Sequence, residues 1–114
     1  MCWLLNKYIQ NKVDYTEYKI SGPGVWLKLQ GAGLRTPMGI LDANYYYTNR
    51  EGWANVLYNL VFSSFLYQTD KFDCENYALK SMVICHEKYG LNAYGMTIGD
   101  IPLGRHGYNI FYCG

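Results

Sequence analysis

Residues 73 to 90, D-C-E-N-Y-A-L-K-S-M-V-I-C-H-E-K-Y-G, constrain the fold more than any other stretch. Asp73 is a natural N-cap and Gly90 a C-terminal stop, so the interval predicts a helix from about Cys74 to Lys88. Ala78, Leu79, Met82, Val83 and Cys85 make it apolar on most sides, which predicts the central and most buried helix of the domain. His86 is read as a solvent-side residue. Downstream, residues 92 to 98 and 105 to 113 read as two strands joined by G-D-I-P-L-G. In the second, His106, Tyr108, Ile110 and Tyr112 share one face by the two-residue period.

Upstream lies another helix signal. Thr48 and Glu51 form a T-x-x-E capping-box pattern, and Trp53, Val56, Leu57, Leu60, Val61, Ser64 and Phe65 follow at the spacing of one helical face. Residues 18 to 31, Y-K-I-S-G-P-G-V-W-L-K-L-Q-G, read as a hairpin reversed at S-G-P-G, because Val25, Leu27 and Leu29 alternate with Trp26, Lys28 and Gln30. Residues 31 to 44 read as a loop, and Leu4, Leu5, Tyr8 and Ile9 as a short helical stripe or a docked arm. The order predicts one α+β domain, its central helix packed on an antiparallel sheet. Residues 1–44 supply arm, hairpin and loop, and residues 45–114 the core.

Composition narrows the function. Half the residues are apolar and 17% are charged, as in a globular chain rather than a disordered one. A net charge of +1 without a basic stripe argues against a nucleic-acid partner. The most apolar run, residues 56 to 67, is about half a membrane span and contains Asn59, so no membrane segment is expected. The first ten residues read as lacking an export signal, which makes the four cysteines reduced thiols of a cytosol-like compartment. Cys2, Cys74, Cys85, His86, His106 and Cys113 lack the paired spacings of a structural zinc site. Thirteen tyrosines imply a Tyr-rich surface or groove. Trp26, Trp53 and Tyr45 to Tyr47 fit either a groove for sugar or peptide or ordinary packing.

A cysteine on an apolar helix is ordinarily packing material, and Cys85 is read that way. Cys74 differs, being the first helical residue after the capping Asp73. Unpaired N–H groups and the macrodipole favour negative charge there, and only the thiolate is nucleophilic. His106, 32 residues downstream at the start of a strand, is the candidate base of a Cys–His pair.

These residues resemble the papain-like and transglutaminase-like cysteine-hydrolase superfamily, closest to its small phage-type and lectin-associated branch. D-C-E-N-Y-A (73 to 78) and H-G-Y-N (106 to 109) match that branch's D-C-[DE]-[DN]-[FY]-A and H-A-[FWY]-N, with Gly107 where Ala is usual. Tyr67 and Phe72 also fit, and the likeness covers roughly residues 45 to 114. The resemblance implies a peptidase or amidase with Cys74 as nucleophile, His106 as base and Gln68 as an oxyanion donor. Trp53, Tyr67 and Tyr108 are then expected to bind a peptide or amide-bearing substrate. It also implies calcium on Asp73 and Glu75, against the simpler reading of those two as a cap and a first-turn charge. The acid or amide that orients the His belongs on a following strand, and the sequence ends at Gly114. A fragment, a substitute carboxylate and a non-catalytic module of a larger assembly, cytoplasmic or virion-associated, all remain open.

Overall fold

The computed structural model describes residues 13–35, 39–60, 64–102 and 104–114. The stripe expected at residues 2 to 12, and Val61, lie outside the described residues. The rest forms a small mixed α/β domain of three helices and two antiparallel sheets.

The N-terminal half departs from the expected hairpin. Only Tyr18–Ser21 (β1) is a strand, and Gly22–Gly31 (α1) is a helix. Ser21 is its N-cap, its side chain accepting the Gly24 N–H at 3.1 Å, and Pro23 sits in the first turn, where its missing N–H costs nothing. Val25 is buried and Leu29 half-buried while Leu27 is exposed, which is a helical period. The partner of β1 is Asn44–Tyr47 (β2), at the end of the segment expected as loop, with Tyr18 opposite Tyr47 and Ser21 opposite Asn44.

The next helix, Arg50–Tyr58 (α2), is capped one residue later than the T-x-x-E pattern implies. Asn49 Oδ1 accepts the Gly52 N–H at 2.8 Å, while Thr48 is buried and its hydroxyl has no hydrogen-bond partner among the described residues. The stripe holds through Trp53, Val56 and Leu60, which are buried. It does not reach Phe65, which is 96% exposed on a 3-10 turn, Ser64–Leu66.

The central helix, Cys74–Tyr89 (α3), has the expected ends. Asp73 is the N-cap, its N–H accepted by Asn76 Oδ1 at 3.1 Å, and Gly90 closes the helix at φ 66°. Burial is one-sided, however. Ala78, Ser81, Cys85 and Tyr89 face the core, and Leu79 and Val83 face outward because the sheet covers only one face. His86 is half-buried, not solvent-side, with Nε2 2.7 Å from the Tyr94 carbonyl. Gly90→Ala should destabilise the protein by about 1–2 kcal/mol, the cost of a Cβ in left-handed backbone. Urea unfolding measures it, and an unchanged midpoint would contradict the αL cap.

Tyr94–Ile101 (β3) and Gly104–Phe111 (β4) pair antiparallel, Tyr94 opposite Phe111 and Gly99 opposite His106, and α3 packs across both. Trp53 packs into the same core, its ring centroid 5.7 Å from Tyr94 and 5.0 Å from Phe111. The two sheets join where Ala93 N–H meets the Tyr46 carbonyl at 3.1 Å and Tyr46 N–H meets Asn92 Oδ1 at 2.7 Å. No helix among the described residues is long and apolar enough to cross a membrane.

Candidate active site

Cys74 is half-buried at the first position of α3. Its thiol donates to Glu75 Oε2 at 3.3 Å and accepts the Gly107 N–H at 3.3 Å. That second contact ties the helix start to β4 beside His106, across 33 residues of chain. The sulfur therefore has one backbone donor, the β4 amide, and one carboxylate acceptor, at the N-terminal end of α3.

Strand geometry fixes how His106 stands to this sulfur. A Cβ on Gly107 would meet Glu75 Cα at 2.8 Å, so position 107 faces α3 and His106 projects to the other face. Amide N–H groups, however, lie in the plane of a sheet, alternating between its two sides. Tyr112 N–H points toward β3, donating to the Ala93 carbonyl at 3.1 Å, so Gly107 N–H points to the open edge of β4. The sulfur thus lies at the strand edge rather than under the face. Among the described residues the His106 ring makes no hydrogen bond, and neither a carboxylate nor an amide orients it.

The remaining candidates divide. Gln68 is exposed, but its backbone exchanges two hydrogen bonds of 2.7 Å with Phe72, closing a tight loop that returns it next to the helix start. Asp70 takes positive φ (62°) in that loop, its N–H held by Asp73 Oδ2 at 3.1 Å. Tyr67 is exposed just before the loop, and Tyr108 is exposed on the His106 face. Trp53 belongs elsewhere. At 1% exposure it is a core side chain and lines no groove, because its ring is enclosed by Tyr94 and Phe111 and its Nε1 donates to the Tyr112 carbonyl at 2.8 Å.

Asp73, Cys74 and Glu75 place ligand atoms within 4.8 Å of one another. The set does not fit calcium, which takes about six to eight oxygens. Only two of these residues offer oxygen, and Asp73 Oδ2 already holds the loop amide.

Two residues of the H-G-Y-N motif to which the sequence reading gave no role matter here. Gly107 supplies the amide that reaches the sulfur. Asn109 clamps β4 to α3, its Nδ2 donating to the Ala78 carbonyl at 2.8 Å and to Gly95 at 3.1 Å. Both lie inside H-G-Y-N, and a polar Asn on the strand face opposite His106 is the signal that could have found the clamp. Cys85 is the contrasting thiol. It is fully buried, its Sγ lies 3.5 Å from the Leu91 carbonyl, and burial pushes its pKa up to about 12. No protein-family model, curated protein or solved structure matches the chain.

Proposed function

We propose that the chain is a small cysteine hydrolase of the papain-like or transglutaminase-like kind, acting on amide or peptide bonds. The observation that carries this reading is the 3.3 Å approach of Gly107 N–H to Cys74 Sγ, which sets the residue after His106 against the sulfur at a helix N-terminus. Cys74 thiolate attacks the carbonyl carbon, and the carbonyl oxygen takes the negative charge. The Cys74 backbone N–H, with Gln68 as a second donor, receives that oxyanion. The C–N bond breaks as His106 imidazolium gives its proton to the leaving amine. A water that then loses a proton to His106 attacks the acyl-thioester, releasing a carboxylic acid and regenerating the thiol.

The second reading is a binding or structural module that keeps the arrangement without turnover. The absence of any orienting group on the His106 ring among the described residues favours it. Incubation with p-nitrophenyl acetate separates the two. The hydrolase reading expects a burst of p-nitrophenol and an acetyl adduct on Cys74, both lost in Cys74→Ala and strongly reduced in His106→Ala. Acetylation confined to lysines, with no Cys74 adduct, would leave the module reading.

A further inference from the structure

Resting on the hydrolase reading, we infer that Gly107 is a positioning residue: because it lacks a Cβ, the β4 backbone lies against the first turn of α3 and donates its own N–H to the Cys74 sulfur. The close approach is specific to this glycine's side. A Cβ there would stand 2.8 Å from Glu75 Cα, 3.0 Å from Glu75 Cβ and 3.1 Å from Glu75 N. Two of those three atoms are backbone of a helix's first turn, which yields only if the helix start or the strand moves. Gly95, in the partner strand of the same hairpin, would meet only Ile110 Cγ1 at 3.9 Å, an ordinary contact. Gly99, on the face away from Gly107, would meet the Tyr108 hydroxyl at 3.1 Å, the far end of a side chain, so of these three it is Gly107 that faces backbone.

The consequence falls on the sulfur. Cys74 stands at the N-terminal end of α3, and Gly107 N–H donates to its sulfur at 3.3 Å. A donor to an ionised acceptor is worth more than one to a neutral acceptor, so this contact strengthens as the thiol loses its proton. Glu75 acts in the opposite sense, accepting the thiol proton at 3.3 Å. His106, immediately preceding Gly107, shares whatever position β4 takes. Any retreat of the strand would withdraw the amide from the sulfur.

The test reads Cys74 alkylation by iodoacetamide across pH, site by site, in the wild type, Gly107→Ala and Gly95→Ala. Gly107→Ala should slow Cys74 about tenfold at pH 6. It should converge with the wild type in strong alkali, where the thiol is ionised regardless. Gly95→Ala should follow the wild type throughout. A Gly107→Ala profile that overlays the wild type overturns the inference. Labelling of Cys85 in either variant reports loss of fold, and the wild type then decides. In ¹⁵N-labelled wild-type protein the Gly107 amide proton should shift downfield over the pH interval in which Cys74 alkylation accelerates, with no such step in Cys74→Ala. A Gly107 amide that stays still while Cys74 ionises overturns the inference alone. A Cys74 that labels only on unfolding overturns the hydrolase reading, and this inference with it.

Discussion

Trp53→Ala should cost about 3–5 kcal/mol, the range for removing a large aromatic from a packed core. Trp53 is 1% exposed, and its ring carries α2 onto the β3–β4 hairpin by packing against Tyr94 and Phe111. Truncation would empty that volume and leave the Tyr112 carbonyl without its 2.8 Å donor. A domain of this size holds about 5–15 kcal/mol in all, so melting should fall by tens of degrees or the variant should fail to fold at ambient temperature. Trp53→Phe, keeping a ring, should lie between. Leu41→Ala should leave the midpoint unchanged, since that side chain is 79% exposed. Circular-dichroism melting measures all three. A Trp53→Ala midpoint within a few degrees of wild type would mean that the core does not close on this residue.

What the sequence disclosed depends on how local each determinant is. The ends of α3 were legible because Asp73 and Gly90 act on the turn they terminate. Residues 22 to 31 were not. V-W-L-K-L satisfies a two-residue and a helical period alike over so short a run, and Ser21 with Pro23 serves a turn or a helix start. The true partner of β1 lies beyond α1, in β2, and no local signal names a strand's partner at that separation. At α2, adjacent Thr48 and Asn49 are both cap-forming types, and only the structure selects Asn49. Leu79 and Val83 read as buried because hydropathy records which side chains are apolar, not which face another element covers. Trp53 illustrates the converse, since an aromatic in a core and an aromatic in a groove look the same in sequence.

The candidate site was legible as a list of residues and their order, and less so as a geometry. Cys74 at a helix start follows from the cap alone. Its meeting with β4 depends on the β3–β4 register, which sets Gly107 opposite Ile98, and on the packing of α3 across that hairpin. Neither is written in the spacing of Cys74 and His106. The replacement of the usual Ala by Gly107 was visible, but its meaning needed the 2.8 Å approach to Glu75.

The central claim is that Cys74 is a nucleophile assisted by His106 rather than packing material. Mass-spectrometric mapping of cysteines alkylated by iodoacetamide over a pH series tests it most directly. Cys85, buried and with its pKa pushed up to about 12, provides the internal standard of an inert thiol. Cys74 should label far faster than Cys85 in the folded protein, being half-buried where Cys85 is fully buried. His106→Ala should slow Cys74 roughly tenfold while the melting curve stays in place, as expected where the imidazole takes the thiol proton. A Cys74 that remains unlabelled until the protein unfolds alongside Cys85, or a labelling rate untouched by His106→Ala, would contradict the account.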